Sequence, residues 1–467
     1  MKKNLYSMAL ALSFAAAFMV SACGDDSGTD TTPIVPPASS PDGGMFVPTS
    51  SAGGNGATAQ APYAALPTVA NPAIPQSWFA TWKATYYKTY AEEAAKYPTL
   101  SMDWGSVFGA FTAQGLFPAR IVWDTSTDAY CVADEVKDNY MRLGCTVSEG
   151  IGYGMLITLF AGDMDAFRSL WIYNRGYRAY QGLDLMPWRT GLYSYESLIG
   201  ANSTSATDAD LDIATSLVLA YYSTGNAEYL NDALLIMAAI WNNEISPALM
   251  IYSGNTQVWK EATSAYNLSY FSPIALKLFA LVDPSHNWTG VLDAMYTYMQ
   301  AVQAKGPGVI PDWSDVNGNP VDPKNGSATN TYWRFFHEAV RVPWRIAWDY
   351  YWTQDPRALQ VLSTINQFIV GKTGGDPSKL ESTAGAHIYS AVTGMPDSTL
   401  KKENLQSHWH GAWCLTGMAG NQTWLDGCTQ AFNTRTMSGF SYFPHILMTM
   451  YGELLNGMFI KPATLPL

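Results

Sequence analysis

The sequence predicts an all-α fold in which about a dozen helices form a barrel or a solenoid. Apolar residues from about residue 77 onward recur at helical spacing, and the alternating pattern of strands is scarce. No sequence unit of fixed length repeats along the chain, which makes a regular solenoid the weaker option. The predicted helices cover about residues 77–97, 152–161, 163–174, 208–223, 227–243, 270–281, 288–303, 339–352, 356–370, 411–419 and 443–455.

The composition narrows the class of partner. The chain has 467 residues, enough for one large domain or two ordinary ones, and a formal net charge of −12. We expect no nucleic-acid partner, because no basic patch is present to neutralise phosphates. The 17 Trp and 28 Tyr residues are a heavy aromatic load. Most belong in a core, but aromatic faces also bind flat neutral ligands such as sugars.

The N-terminal region predicts export. Residues 1–22 are typical of a signal peptide of the bacterial lipoprotein type, with Lys2 and Lys3 before an apolar run that is too short for an ordinary membrane span. Cleavage before Cys23 would make this cysteine the lipid anchor. Residues 23–75, rich in Thr, Pro, Ser and Gly, predict a disordered tether, and residues 76–467 the folded domain. We expect attachment to the cell envelope, outer membrane or cell surface through this lipid alone; a soluble secreted form with a free Cys23 stays open.

The other four cysteines fall into two local pairs with the same separation. Cys131 with Cys145, and Cys414 with Cys428, suit two short-loop disulfides in an oxidising compartment. Other connectivities stay open. The spacing does not fit a structural zinc site, whose ligands usually come in closely spaced pairs.

The stretch 148–155, Ser-Glu-Gly-Ile-Gly-Tyr-Gly-Met, places one carboxylate before three glycines at alternating positions. Each glycine costs a helix roughly 1 kcal/mol relative to alanine, so something must come close to the backbone here. Glu149, among apolar residues at a helix start, can keep its proton near neutrality, as a general acid must. The alternative is an ordinary helix start with Ser148 as its cap and glycines that serve helix packing.

The stretch 206–214, Ala-Thr-Asp-Ala-Asp-Leu-Asp-Ile-Ala, carries three carboxylates at alternating positions. It does not fit an EF-hand calcium loop, because Ile213 stands where the sharp turn needs glycine. Helix capping and the helix dipole explain Asp208 and fit Asp210. Asp212 falls one turn after Asp208 on the same face, which favours a polar cleft floor that orders sugar hydroxyls or a water.

The stretch 334–345, Arg-Phe-Phe-His-Glu-Ala-Val-Arg-Val-Pro-Trp-Arg, is the third candidate. Glu338 and Arg341 are one helical turn apart, so they could pair. Pro343 fits the first turn of a helix. The flanking residues are nearly all large and apolar, which favours a cleft over a surface ion pair.

Other chemistries have weaker support. His408 and His410 alternate around Trp409, but no third metal ligand stands nearby, so ordinary polar contacts are the favoured interpretation. We expect no metal and no organic cofactor. The sequence contains no Gly-x-Ser-x-Gly elbow, phosphate loop or dinucleotide fingerprint, which weakens the case for an esterase, a kinase or a dehydrogenase.

These three stretches, together with Asn-Leu-Ser-Tyr-Phe at 267–271, resemble glycoside hydrolase family 8, in the family's order and over about residues 80–455. The resemblance implies an (α/α)6 barrel as a single catalytic domain. It also implies inverting hydrolysis of β-1,4-linked glycans: cellulose, mixed-linkage glucan, xylan or chitosan. The leading expectation is an endo-acting glucanase (cellulase) or xylanase that works as a monomer.

The resemblance implies roles for single residues. Glu149 matches the family's general acid, Asp208 the acidic residue that contacts the sugar at the cleavage point, and Tyr270 the tyrosine beside it. Trp188 resembles a tryptophan on which a sugar stacks. Arg341 matches an arginine near the base.

The general base is where the sequence departs from the family. Glu338 stands where many members have aspartate, and its longer side chain moves the carboxylate by about a methylene; Asp208 is the runner-up for this role. Two alternatives to a glycanase stay open. One is a non-catalytic cell-surface glycan-binding protein on the same fold. The other is a helical-barrel polysaccharide lyase, which the net negative charge disfavours because its substrate would be acidic.

Overall fold

Helices make up most of the fold, which a computed structural model describes for residues 65–96, 100–123, 145–190, 204–256, 265–322, 333–382, 388–396 and 405–467. All of these residues belong to one compact unit of the chain, 55–467. The α-helices are α1 (Ala73–Tyr86), α2 (Tyr90–Lys96), α3 (Leu100–Thr112), α4 (Ser148–Phe160), α5 (Met164–Gln181), α6 (Thr207–Thr224), α7 (Ala227–Glu244), α8 (Pro273–Val282), α9 (Trp288–Gln303), α10 (Val342–Thr353), α11 (Pro356–Thr373), α12 (Lys379–Ser382), α13 (Ser407–Leu415), α14 (Gln422–Phe432) and α15 (Tyr442–Leu455).

Twelve helices in the described part of the chain pair into an inner and an outer ring. α4 packs against α5, α6 against α7, α8 against α9, α10 against α11, α13 against α14, and α15 against α1. The first helix of each pair also contacts the first helix of the next pair, and α15 returns to α4. The inner ring is therefore closed, which confirms the predicted (α/α)6 barrel.

The sequence explains which helices lie inside. In α4 all residues from Gly150 to Thr158 are buried, as expected for a helix that is apolar on every side. In α9 the buried residues follow a three-to-four spacing, with Trp288, Val291 and Met295 among them, so this helix covers the barrel with one face only.

The six inner helices begin at the same end of the barrel. Each of the first five inner helices is followed by an outer helix that returns along it, and the outer helix α14 leads into α15, so successive inner helices run parallel. The candidate residues lie at this end: Glu149 and Asp208 are in the first turns of α4 and α6, and Arg341 directly precedes α10. Side chains from distant parts of the sequence therefore meet around one axis.

Short antiparallel ribbons connect the loops at this end. The strands are β1 (Tyr87–Thr89) with β2 (Ala119–Ile121), β3 (Thr146–Val147) with β4 (Arg189–Thr190), and β5 (Arg334–Phe335) with β6 (Tyr389–Ser390). β3 leads directly into α4, and β4 directly follows Trp188. The β3–β4 ribbon thus brings Trp188 next to the start of the helix that carries Glu149.

The predicted helices needed some correction. The segment 77–97 is not one helix, because residues Tyr87–Thr89 pair with β2 and separate α1 from α2. α3 and α14 were not predicted. The segments expected to start helices at residues 270 and 339 begin with 3-10 turns, Leu268–Tyr270 and Ala339–Arg341, and the α-helices follow at Pro273 and Val342.

Packed structure begins before the predicted domain start at residue 76. α1 starts at Ala73, the backbone N–H of Thr68 donates to Asp426 Oδ1 (2.7 Å), and that of Asn71 donates to Asn456 Oδ1 (2.8 Å). The signal 1–22, Cys23 and the tether up to residue 64 lie outside the described residues. In the part of the chain that is described, no helix is long and apolar enough to cross a membrane.

One predicted disulfide is confirmed. Cys414 in α13 and Cys428 in α14 are bonded, with their Cα atoms 5.1 Å apart, so the bond joins the inner and outer helix of one hairpin. The pairing of Cys131 with Cys145 stays a prediction, because Cys131 lies outside the described residues.

The glycines of α4 allow close packing. A Cβ on Gly150 would lie 2.8 Å from Tyr442 Oη, and one on Gly152 would lie 3.2 Å from the backbone oxygen of Ala209 in α6. Gly154 faces side chains of β2 and α5 at a similar distance. The expectation of a close approach to the backbone is confirmed, and the approaching groups are the protein's own helices and side chains.

We expect Gly152→Ala to lower the free energy of unfolding by about 1–3 kcal/mol, because the backbone of α6 cannot move away from an added methyl group. Gly371→Ala in α11 is the matched control. Apart from the backbone of its own helix and its chain neighbours, no atom of the described residues lies within 4 Å of a Cβ at this position. Alanine should therefore leave stability unchanged or raise it by about 0.4–1 kcal/mol. Thermal unfolding followed by circular dichroism measures both, and an unchanged midpoint for Gly152→Ala would contradict the packing argument.

Candidate active site

Arg341 is the centre of the site and contacts three carboxylates. Its Nη1 donates to Glu149 Oε2 and to Asp208 Oδ2, both at 2.8 Å, and its Nη2 donates to Glu338 Oε2. The Arg341 side chain is 3% exposed, while those of Glu149 and Glu338 are 19% and 32% exposed. The cleft therefore reaches Glu149 and Glu338, and the guanidinium that joins them lies beneath its surface.

Glu149 is positioned at the first turn of α4 by two neighbours. Ser148 is the first helical residue and not a side-chain cap, since the N-cap position is Val147 and no side chain caps it. Arg341 holds one carboxylate oxygen of Glu149, and the hydroxyl of Tyr442, the first residue of α15, donates to the other at 3.1 Å. The carboxyl is thus fixed from both sides.

The surroundings of Glu149 favour its protonated form. Burial raises the pKa of Glu149 to about 7, which the Arg341 guanidinium opposes and the negative charges of Asp208 and Glu338 support. Three carboxylates share one guanidinium, so a proton held by Glu149 reduces their mutual repulsion. Near neutral pH this carboxyl can donate a proton.

Glu338 is held through its carboxylate and through its backbone. Asn267 Nδ2 donates to Glu338 Oε2 at 2.6 Å, on the same oxygen that Arg341 contacts. The backbone N–H of Glu338 donates to Asp312 Oδ1 at 3.1 Å. The predicted Glu338–Arg341 pair is confirmed, and Pro343 does lie in the first turn of α10.

The three aspartates of α6 have three different partners. Asp208, 2% exposed, binds Arg341 and does not cap its helix. Asp210 turns to the opposite side, where its Oδ1 accepts the backbone N–H of Met186 at 3.2 Å. Asp212 lies one turn after Asp208 as predicted, but it does not line the cleft floor, because it is fully buried.

Asp212 belongs to a second charged layer. Both of its oxygens accept hydrogen bonds from the guanidinium of Arg345, whose Nε donates to the backbone oxygen of Ser269 at 3.2 Å. The guanidinium carbon also lies 4.3 Å from the centre of the Trp344 ring. This pair is completely buried, so it supports the floor of the site and cannot contact a substrate.

Two aromatic residues of the prediction lie at the site. Trp188 is half-buried, its backbone oxygen accepts the N–H of Ser148 at 2.9 Å, and its ring packs edge to face with that of Trp123 at 6.2 Å. Tyr270, also half-buried, has its ring centre 5.5 Å from the guanidinium carbon of Arg341. A sugar chain beside Glu149 would meet an aromatic surface.

Sequence reasoning missed Tyr442 and Asp312 and gave no role to Asn267. Asp312 stands in Pro-Asp-Trp at 311–313, and an acid between large apolar residues is a signal that could have been used. Tyr442 stands one residue before the predicted helix start at 443, and no local sequence pattern distinguishes it. Burial raises the pKa of Asp312 well above its usual range, and the negative charge of Glu338 adds to this.

His410 does not form a metal site with the two cysteines beside it. His410 lies close to Cys414 and Cys428, but the two sulfurs are bonded to each other and His410 Nδ1 receives a hydrogen bond from Arg435 Nε at 2.6 Å. Beside this cation, burial lowers the pKa of His410 to about 3. The interpretation of His410 as an ordinary polar group fits these contacts.

The geometry defines a class of enzyme. Glycoside hydrolases work with one carboxyl that holds its proton and a second carboxyl placed to act on water or on the sugar. Glu149 and Glu338 stand at the two ends of one guanidinium, and Trp188 lies next to the start of the helix that carries Glu149. The fold and the site together are those of a glycoside hydrolase.

Sequence comparison identifies the family. Residues 92–406 match Glycosyl hydrolases family 8, and the chain belongs to this family. It is 28% identical to a beta-glucanase of Niallia circulans over 347 residues, 68% of this chain and 83% of that protein. It is 32% identical to endoglucanase C of Ruminiclostridium cellulolyticum over 228 residues, 48% of this chain and 46% of that protein, so it spans about half the length of that relative.

Solved structures have the same fold. A beta-1,3-1,4-glucanase from Paenibacillus sp. X4 superposes with a TM-score of 0.63 at 22% identity, covering 85% of this chain and 96% of that chain. A cold-adapted family 8 xylanase gives a TM-score of 0.61 at 15% identity, covering 83% of this chain and 92% of that chain.

A second carboxyl pair lies behind the site, at the contact of α6 with α7. Glu244, the last residue of α7, accepts a hydrogen bond from the hydroxyl of Ser205 and interacts with Asp210. Burial raises the pKa of Glu244 to about 7 and that of Asp210 well above its usual range. Because Asp210 also holds the backbone of Met186, the pair supports the segment that leads to Trp188.

Because of this carboxyl pair, we expect the free energy of unfolding to fall as pH rises. The folded state keeps a proton that the unfolded state releases, so the contribution is complete below the unfolded pKa of about 4.5 and is lost as pH rises through about 7. For Glu244 alone the effect is roughly 3 kcal/mol. Glutamine at position 244 cannot ionise, so Glu244→Gln should make the decline of the unfolding midpoint between pH 5 and 8 shallower. The control is Glu228→Gln, an exposed change in the first turn of the same helix, which should leave the decline unchanged. An unaltered pH dependence in Glu244→Gln would refute the shared-proton interpretation.

Proposed function

We propose that this enzyme cleaves internal β-1,4 bonds of a neutral β-glucan with inversion of the anomeric configuration. The observation that carries the proposal is the contact of one buried guanidinium, Arg341, with both Glu149 and Glu338. Glu149 acts as the general acid and Glu338 as the general base. The predicted absence of a metal and of an organic cofactor is part of the proposal, because proton transfer between carboxyls and water needs neither.

Glu149 donates its proton to the oxygen of the leaving sugar. Tyr442 and Arg341 fix the two carboxyl oxygens, so the donor does not rotate away from the glycosidic bond. After proton transfer the carboxylate gains the full attraction of Arg341, which favours the product side of the step.

Glu338 is a better base than Asp208 because of access. A base must contact the attacking water, and the Glu338 side chain is 32% exposed whereas that of Asp208 is 2% exposed. Asp208 instead fixes Arg341 and adds negative charge near Glu149. Its predicted contact with the sugar at the cleavage point remains part of the proposal.

The spacing of the two carboxyls leaves room for a water between base and sugar. Two hydrogen bonds and the width of one guanidinium place the nearest oxygens of Glu149 and Glu338 at most roughly 8 Å apart. This upper limit is compatible with the roughly 6.5–9.5 Å of inverting enzymes and also with the separation of about 5–5.5 Å in retaining ones, so the anomer of the product decides between them. The extra methylene of glutamate is accommodated by the contacts of its carboxylate with Arg341 and Asn267.

The substrate class rests on the relatives and on the aromatic surface. A beta-glucanase and several endoglucanases are among the similar proteins, which favours glucan, cellulose or mixed-linkage, over xylan and chitosan. Trp188 and Tyr270 offer neutral faces for sugar rings. Product analysis on carboxymethyl-cellulose, lichenan, xylan and chitosan tests the proposal: glucan-derived oligosaccharides of mixed length are expected, and release of no reducing sugar from any of the four would favour a binding protein.

Glu149→Gln should lower kcat by about 10²–10⁴, because an amide cannot donate the proton that the leaving sugar needs. The loss should shrink on an aryl glycoside with an acidic leaving group, which departs without that proton. In the wild type, kcat/KM should fall as pH rises above about 7, where Glu149 loses its proton. Glu228→Gln, also in the first turn of a helix, is the control and should match the wild type. A near wild-type kcat for Glu149→Gln on polymeric glucan would refute the assignment.

Glu338→Ala should lower kcat by about 10²–10⁴, to a small residual rate, while leaving the fold intact. Among the described residues, the other two carboxyls that contact Arg341 are the proposed acid, Glu149, and the buried Asp208. NMR of the first-formed product of the wild type should show the inverted anomer. An active Glu338→Ala enzyme would pass the role of base to Asp208, and a retained anomer would exclude the inverting mechanism altogether.

We also propose that the enzyme is exported and anchored through lipid on Cys23, and that it acts as a monomer. The sequence of residues 1–23 supports export and lipid attachment. Mass spectrometry of the mature N-terminus tests the anchor, with Cys23→Ser as the control that should release the protein from membranes. Size-exclusion chromatography of the delipidated chain tests the monomer.

A further inference from the structure

Asp312 lies outside the cluster around Arg341, in a buried segment that borders the turn of Glu338. The residue is 4% exposed, and its own N–H donates to the backbone oxygen of Arg334 at 2.9 Å. Two positions later, Ser314 exchanges two backbone hydrogen bonds with Tyr266, at 2.7 and 3.0 Å. Asp312 is therefore fixed to β5 on one side and to the segment that leads to Asn267 on the other.

One oxygen of Asp312 organises the backbone around Glu338. Asp312 Oδ1 accepts the N–H groups of Phe336 at 3.0 Å, Glu338 at 3.1 Å and Ala339 at 2.8 Å. These N–H groups belong to the turn that begins the 3-10 segment before α10, where no helical carbonyl is available to them. The carboxyl replaces those missing partners.

We propose that Asp312 is a positioning residue for hydrolysis, which fixes the backbone of Glu338 so that its carboxylate stands where a base must take a proton from water. This inference rests on the proposed role of Glu338 as base. Asp312 does not touch the substrate in this proposal, and it acts only through Glu338.

The other partners of Glu338 cannot replace this function. Asn267 and Arg341 hold the carboxylate at the end of a flexible side chain, and both bind the same oxygen, Oε2. They fix the end of the side chain. The backbone oxygen of Glu338 accepts the N–H of Arg341 at 3.1 Å, whereas the backbone N–H of Glu338 is held by Asp312. A displacement of about 1 Å at a catalytic group can cost about 10² in rate.

The test compares two substitutions at this position. Asp312→Asn keeps an oxygen that can accept the same three hydrogen bonds, so kcat should stay within about fivefold of the wild type. Asp312→Ala removes the acceptor, and kcat should fall about 10²-fold with KM changed less than about threefold. A wild-type kcat for Asp312→Ala, or a 10²-fold loss for Asp312→Asn, would overturn the proposal. Should Asp312→Ala fail to fold, Asp312→Ser, whose shorter side chain cannot span all three N–H groups, replaces it with the same expectation.

A matched control separates positioning from general destabilisation. Asp283 is also buried and accepts hydrogen bonds, from the N–H of Ser285 and from the indole N–H of Trp288, but it follows α8 at the opposite end of the barrel. Asp283→Ala should lower the unfolding midpoint and leave kcat per folded molecule unchanged. An equal loss of kcat in Asp283→Ala and Asp312→Ala would show that the effect is not specific to the base.

A double variant tests whether Asp312 acts through Glu338. If it does, Asp312→Ala should leave the residual rate of Glu338→Ala unchanged, because there is no longer a base to position. A further 10²-fold loss in the double variant would overturn the proposal. The failure of the proposed function looks different: Glu338→Ala alone would then keep its activity, whatever the result at position 312.

Discussion

The site depends on the compensation of three carboxylates by one guanidinium. Arg341 is almost completely buried, contacts Glu149, Asp208 and Glu338, and lies against the ring of Tyr270. One positive charge cannot neutralise three negative ones, so the cluster retains a proton. Burial raises the pKa of Glu149 to about 7 but that of Asp208 only to about 6, because Arg345 as well as Arg341 opposes the rise at Asp208. The same guanidinium that holds the acid and the base at a fixed separation thus also acts on the pKa of the acid. Loss of this arginine would remove geometry and chemistry together.

The barrel brings this cluster together because of how its inner helices are directed. The cluster combines residues from the first turns of α4, α6 and α15 with the residue before α10. The two most distant, Glu149 and Tyr442, are almost 300 residues apart in the sequence. They meet because every inner helix begins at the same end. Helix N-termini carry partial positive charge, which stabilises carboxylates placed in their first turns. The fold therefore supplies both the position of the acids and part of the compensation of their charge.

Sequence reasoning found the groups whose chemistry shows locally. Glu149 and Arg341 are charged residues among apolar ones at helix starts. Helical periodicity predicted a helical barrel or solenoid, whereas the (α/α)6 barrel was implied by the resemblance to family 8. Sequence reasoning did not find the residues that contact the site from distant parts of the barrel. Tyr442 reaches Glu149 from the last helix, and Asp312 binds N–H groups some 25 residues later, so neither leaves a short-range pattern. The position of Asp212 on its helix face was predicted correctly. Its assignment to the cleft floor was wrong, because its buried partner, Arg345, was not recognised.

The closure of the ring has a consequence for how the molecule is made. α1 near the N-terminus is the outer partner of α15 near the C-terminus, and Asn71 and Thr68 are tied to residues of the last hundred. During synthesis the first helix emerges several hundred residues before its partner exists. Neither the inner ring nor Tyr442, which completes the surroundings of Glu149, can be in place until translation is nearly finished. A chain stopped before α15 would therefore lack a closed core and the hydrogen bond of Tyr442 to Glu149. Copies truncated at this end should be degraded by proteases as unfolded protein.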